Sequence, residues 1–106
     1  MNAKTKSRFE ARAKIIKALA HPTRLYLVDQ LSKRELCVCR LTEMVGADIS
    51  TVSKHLSILK SAGIVADQKR GNQVFYRLCC PCLLGLFECV ESAIKSTARE
   101  QLKLVK

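Results

Sequence analysis

Val52, Leu56 and Leu59 recur at helical spacing in a stretch bracketed by Gly46 and Gly63, and this pattern limits the fold more than any other in the chain. Gly46 suits a left-handed cap ending the segment before it, and Gly63 ends the stretch itself. A helix over residues 36–45 is predicted upstream, with Leu36, Cys39 or Leu41, and Met44 or Val45 on its inner side. The second helix starts after Ala47-Asp48-Ile49, capped by Asp48 or Ser50. Two short helices joined through a few residues containing a glycine make a helix-turn-helix.

The flanks add to this unit on both sides. From Lys4 to Ala20, Phe9, Ala13, Ile16 and Ala20 stand three or four apart with basic residues between them, which predicts a long first helix. His21, directly before Pro22, reads as a cap or a packed residue, and Pro22 as the first residue of a second helix carrying Leu25, Val28 and Leu31. Downstream, residues 64–69 and 73–78 are β-prone runs joined through Arg70-Gly71-Asn72, a glycine turn that permits a hairpin. Pro81 separates this hairpin from a last helix with an apolar stripe of Leu83, Leu86, Phe87, Val90 and Ile94. Neither an internal repeat nor an inter-domain linker interrupts the pattern. Residues 1–106 therefore read as one domain, mostly α with a small β-hairpin: about five helices plus a two-stranded wing, the helix-turn-helix at about 36–61 and the wing at about 64–78.

With 106 residues and 48% apolar content, the chain is large enough for a modest core. No apolar stretch approaches the roughly 20 residues needed to cross a bilayer, and the charged start leads into no signal-peptide hydrophobic region, so a cytoplasmic location is expected. There, Cys37, Cys39, Cys79, Cys80, Cys82 and Cys89 would stay reduced and be free to act as ligands or redox groups. The formal charge of +10 points to a polyanion: RNA, DNA or an anionic membrane surface would each fit.

Four strings, in order and at these spacings, resemble the ArsR/SmtB family of winged-helix metalloregulatory repressors over nearly the whole chain. They are Ala20-His21-Pro22-Thr23-Arg24, Glu35-Leu36-Cys37-Val38-Cys39, Ser50-Thr51-Val52-Ser53-Lys54-His55-Leu56 and Arg70-Gly71-Asn72-Gln73-Val74-Phe75-Tyr76-Arg77-Leu78. The resemblance implies a winged helix-turn-helix homodimer built by the first and last helices, about 4–20 and 82–102. It also implies binding to a palindromic operator, without a cofactor, and release by an inducer. Recognition helices of such a dimer lie one DNA turn apart, roughly 34 Å.

The residues themselves suit a DNA face. Ser50, Thr51, Ser53, Lys54 and His55 crowd the first turns of the predicted recognition helix with short donors and a cation, as base edges and phosphates require. Lys69, Arg70 and Gln73 stand at the wing tip, in reach of a minor groove or backbone. The competing reading makes Ser50 only a cap, His55 a surface histidine and the tip a solvated turn. Ile49 departs from the polar residue often found there in the family, which leaves the operator sequence open.

Cys37 and Cys39 are the first candidates for inducer ligands, yet residues two apart on a regular helix point about 200° away from each other. Joint ligation would deform the first turn of the helix that sets the recognition helix. Arsenic sensors with this motif carry a third cysteine three residues on, where this chain has Thr42, a poor ligand for As(III) or Sb(III). A third thiolate would come from Cys82 or Cys89, which share a helical face seven residues apart, or less readily from Cys79 or Cys80, which point to opposite sides of an extended segment. Cys89 also reads as plain apolar packing in a dimer stripe.

Thiolates without a histidine or carboxylate partner favour As(III) or Sb(III) as inducer. The alternatives are Cd(II), Pb(II) or Zn(II), or a thiol redox or sulfane-sulfur sensor of the same fold. Cadmium and lead sensors resembling this chain add cysteines before the motif, and the zinc sensors a His and Asp pattern in the last helix; both are missing here. An enzyme is not expected: no His or acid is spaced to activate a cysteine, and no nucleotide-binding glycine motif is present.

Overall fold

Capping chemistry marks where the helices begin. Asn2 Oδ1 accepts the Thr5 N–H at 2.8 Å and opens α1 (Ala3–Leu19). His21 Nδ1 accepts the Thr23 N–H at 3.1 Å, and Pro22 follows as the first residue of α2 (Pro22–Leu31), so His21 is the expected cap. The computed structural model describes residues 1–105 and continues with β1 (Leu36–Cys37), α3 (Val38–Val45), α4 (Ile49–Ser61), β2 (Val65–Arg70), β3 (Gln73–Leu78) and α5 (Leu83–Val105). Gly46 closes α3 at φ 76°, its N–H bonded to the Thr42 carbonyl at 2.9 Å, and Asp48 caps α4.

The three strands form one antiparallel sheet in the order β1-β3-β2. Gly71, at φ 62°, supplies the single left-handed residue of the two-residue turn between β2 and β3. The first strand corrects the sequence reading in one respect. Residues 36 and 37 do not belong to the helix but pair with Tyr76 and Phe75 of β3, so the helix begins at Val38 and the hairpin gains a third strand. The cause is tertiary: burying Leu36 in the core and hydrogen-bonding its backbone to β3 outweigh the weak helical preference of two residues.

The core gathers Leu27, Val28 and Leu31 of α2, Leu41 of α3, Val52, Leu56 and Leu59 of α4, and Ile64, Val65 and Tyr76 from the sheet side. On α2, Leu27 rather than the expected Leu25 joins Val28 and Leu31; Leu25 instead lines a groove of about 1030 Å³ against Leu86, Phe87 and Val90 of α5. On α3 the choice between Cys39 and Leu41 falls to Leu41, and Cys39 faces solvent.

The His21 and His55 rings meet with centroids 4.4 Å apart, seating the middle of α4 on the start of α2. Burial, then the nearby His21 and Arg24, lowers the His55 pKa.

α5 is different from the other helices, since none of its residues is buried in the single chain and only Leu83 and Phe87 pack against the core. Leu86, Val90 and Ile94 leave a continuous apolar stripe open, as do Phe9 and Ile16 of α1. The radius of gyration, 16.9 Å, accordingly exceeds the about 13 Å of a compact chain of this length.

Two outcomes follow from this packing. Leu56→Ala opens a cavity among fully buried side chains and should cost about 2–5 kcal/mol in denaturant unfolding, whereas Ile49→Ala, on an exposed side chain, should stay within about 0.5 kcal/mol. Because the His55 pKa lies below its unfolded value of 6.5, protons bind the unfolded chain first, and stability should fall as pH drops below that value. Thermal unfolding across that range checks this: a His55→Gln chain should lose part of the slope, and an unchanged slope would assign the pH response elsewhere.

Candidate nucleic-acid interface and thiol site

Helix α4 divides cleanly between an inner and an outer side. Val52, Leu56 and Leu59 are buried, while Ser50, Thr51 and Lys54 are exposed and Ser53 and His55 are half-buried. Asp48 organises the first turn: its carboxylate accepts the Thr51 N–H at 3.2 Å, the Thr51 hydroxyl at 2.6 Å and the Ser50 hydroxyl. These bonds, Ser50 first, hold the Asp48 pKa down to about 2. The hydroxyls of Ser50 and Thr51 are therefore aligned by Asp48, a role that the cap spacing Asp48-x-Ser50-Thr51 already signals. Lys54 extends from the same exposed side, with no ion-pair partner among the described residues.

His55 sits differently from its neighbours. Its ring lies against His21, and its Nδ1 is buried without a hydrogen-bond partner, as is Nε of Arg24. The sequence showed no sign of this three-residue cluster, because His21 and Arg24 lie at the start of α2, as its cap and in its first turn, more than thirty positions away from His55.

At the hairpin, Lys69 and Gln73 are exposed. Arg70 is tied down: Nη2 donates to Glu35 Oε2 at 2.7 Å and to Gln68 Oε1 at 3.0 Å, and the guanidinium lies 4.8 Å from the Phe75 ring centre. Glu35, legible in the sequence only as the first residue of the Glu35-Leu36-Cys37-Val38-Cys39 string, thereby links the wing to the segment that carries Leu36 and Cys37. Each such exposed ion pair contributes at most about 1 kcal/mol.

All six thiols are free. Cys37 is half-buried in β1 with an extended backbone (φ −79°, ψ 157°), and Cys39 is exposed in the first turn of α3. The helical angle of about 200° between them therefore does not apply, because one sulfur leaves a strand and the other a helix. Thr42, at the position of the missing cysteine, donates its hydroxyl to the Val38 carbonyl at 2.8 Å. Cys79 lies four residues beyond Phe75, the partner of Cys37, about 13 Å along β3.

Cys79 is exposed, and its Sγ is 4.0 Å from Arg77 Nη1. Half-buried Cys80 turns the other way, its thiol directed to the Gly63 carbonyl at 3.9 Å, as expected for neighbours in an extended segment. Cys82 is exposed in the turn before α5, one residue short of the helix, and Cys89 is exposed on it. Among the described residues, no three His, Cys, Asp or Glu side chains come together to hold a metal ion. Nor is any helix there long and apolar enough to cross a membrane.

Comparison with known proteins agrees with this architecture. A family described as bacterial regulatory protein, arsR family, matches residues 21–67. The HTH-type transcriptional repressor SmtB of Mycobacterium tuberculosis is 39% identical over 69 residues, 65% of this chain and 51% of its own length, so the match spans about half of that relative. Among solved structures, the transcriptional repressor BigR from Xylella fastidiosa superposes with a TM-score of 0.70 at 31% identity, over 85% of this chain and 96% of that one. The homodimeric winged helix-turn-helix DNA-binding domain Mb0332 from Mycobacterium bovis, described as a possible ArsR-family regulator, gives 0.79 at 26% identity over 94% and 93%. With its helix-turn-helix, its wing and a relative of this likeness over nearly the full length, the chain belongs to the ArsR/SmtB family of winged-helix transcriptional regulators.

Proposed function

We propose that this chain is a homodimeric DNA-binding repressor that leaves its operator when As(III) or Sb(III) binds cysteine thiolates. The observation that carries the reading is the position of Cys37 and Cys39 across the β1–α3 junction. β1 is paired to β3 of the wing, and α3 packs against the proposed recognition helix α4, so the two sulfurs stand where the wing joins the helix-turn-helix. Drawing both sulfurs onto one ion rotates the junction and shifts α3 relative to the sheet. The resulting coupling between inducer and DNA would fall in the usual range of about 1–3 kcal/mol.

Ser50, Thr51, Ser53 and Lys54 are the proposed groove and phosphate contacts of α4, and Lys69, Arg70 and Gln73 those of the wing. His55 takes part in the same interface from its place against α2. The charge of +10 supplies the nonspecific attraction. Dimerisation covers the open apolar stripes of α1 and α5, in keeping with the homodimer described for Mb0332. It also offers a source for the third thiolate: Cys82 or Cys89 of the second copy, since both stand exposed at or on α5. Cys79 and Cys80 are weaker ligands in this scheme, being turned to opposite sides of the strand end.

A second reading keeps the fold and changes the inducer. Cd(II), Pb(II) or Zn(II) takes four donors more readily than three, and exposed Cys82, just before α5, and Cys89, on it, could complete such a set with Cys37 and Cys39.

Affinity for duplex DNA from upstream of its own gene should drop about 10³-fold or more between 50 and 200 mM salt if six or more phosphates are contacted; a flat salt dependence would remove the backbone-contact reading. Arsenite, antimonite and cadmium titrated into that complex should release DNA from the native chain, with arsenite or antimonite acting at the lowest concentration; cadmium acting first selects the second reading. Cys37→Ser and Cys39→Ser should each abolish release while leaving DNA affinity in place. Normal release by both variants sinks the thiolate-junction mechanism.

A further inference from the structure

Cys79-Cys80-Pro81-Cys82 connects β3 to α5, and the junction mechanism proposed above draws on it chiefly through Cys82, one of two candidates for the third thiolate. It has the spacing Cys-x-x-Cys between Cys79 and Cys82, with a proline inside and a helix beginning one residue later. We propose that Cys79 and Cys82 form a reversible dithiol–disulfide pair, exchanging with low-molecular-weight disulfides, which locks the hinge between the winged body and α5.

Local geometry selects these two of the four nearby thiols. Cys79 and Cys82 are both exposed, whereas Cys80 is half-buried and engaged with the Gly63 carbonyl. The chain reverses direction here through successive i to i+3 bonds, from the Leu83, Leu84 and Gly85 N–H groups to the Cys80, Pro81 and Cys82 carbonyls, each at 3.1 Å. This tight ladder leads straight out of the strand, whose last anchor is the Cys79 N–H to the Ile64 carbonyl at 2.8 Å. Closing a disulfide asks for Cα atoms about 4.4–6.8 Å apart, so oxidation requires the segment from Cys79, just ahead of this ladder, to be drawn into the same kind of turn. Arg77 Nη1, 4.0 Å from Cys79 Sγ, places positive charge where sulfur carries negative charge as nucleophile or leaving group.

The exchange balances without a metal. The Cys79 thiolate attacks one sulfur of a small disulfide such as oxidised glutathione, giving a mixed disulfide and expelling one small thiolate. The Cys82 thiolate then attacks Cys79 Sγ, closes the Cys79–Cys82 bond and expels the second. Two protein thiols and one small disulfide become one protein disulfide and two small thiols, with two electrons passing from protein to glutathione. The consequence is mechanical: α5 is held to the core only through Leu83 and Phe87, so the 79–82 turn sets its direction. A closed four-residue ring removes torsional freedom from that turn and fixes how α5 presents its apolar stripe. This proposal needs neither Cys37 nor Cys39, and it is tested free of metal.

The experiment treats the full chain with oxidised glutathione, blocks free thiols with N-ethylmaleimide, reduces, labels the released thiols with iodoacetamide and maps both labels by mass spectrometry. Cys79 and Cys82 should carry the second label in the native chain and equally in Cys80→Ser and Cys89→Ser. In Cys82→Ser, Cys79 should instead accumulate the glutathione mixed disulfide. Amide exchange at Leu83, Leu84 and Gly85 should slow several-fold on oxidation of the native chain. Protection that maps to Cys37 and Cys39, to Cys80, or to a Cys89–Cys89 link between copies overturns the pairing; unchanged amide exchange overturns the hinge lock.

Discussion

Seating α4 on the core is the constraint on which the rest of the molecule depends. Val52, Leu56 and Leu59 are wholly withdrawn from solvent, and they meet Leu27, Val28 and Leu31 of α2, Leu41 of α3 and the first residues of β2. Each such side chain contributes about 1.5–3 kcal/mol through burial. Because that contact fixes the rotation of α4, it also decides which residues the helix presents outward. Ser50, Thr51 and Lys54 are exposed because three leucine and valine side chains of the same helix are not.

A second dependence runs through β3. It is the middle strand, joined to β2 on one side and to β1 on the other, and it ends at the cysteine-rich turn into α5. A change at either thiol group therefore reaches the wing by a short path. Cys37 is paired directly with Phe75, whose ring carries the Arg70 guanidinium, and Arg70 in turn holds Glu35. Wing, strand and thiol junction thus form one connected unit. α5 stands apart from it, attached by two side chains and a turn, which suits a helix whose stability comes from a second copy.

Much of the fold was legible because its signals are local. The glycine positions, Asp48 as a cap, Pro22 at the start of α2 and the Val52, Leu56 and Leu59 repeat all act over eight residues or fewer. Where the reading departed from the structure, the cause was distant. Helical periodicity continues through Leu36 and Cys37, yet pairing with Tyr76 and Phe75, about forty residues on, draws them into a strand. Leu25 fitted the α2 stripe as well as Leu27 did; only the packing partner separates them. For the candidate interface, the basic and hydroxyl residues of α4 were visible in order. The contact of His55 with His21 and the bond of Arg70 to Glu35 were not, since both join elements whose separation in sequence carries no pattern.

By itself the sequence determined the order of the five helices and the two wing strands, the caps and turns between them, the charge, and the thiol-bearing residues. These follow from spacing and side-chain chemistry within one or two turns of chain. Only the tertiary structure decided that Cys37 leaves a strand and Cys39 a helix, that the Cys80 thiol meets the Gly63 carbonyl, and that the stripes of α1 and α5 remain uncovered in one chain. Those outcomes depend on which distant surface each segment is buried against, and burial is a property of the packed whole rather than of any local run of residues.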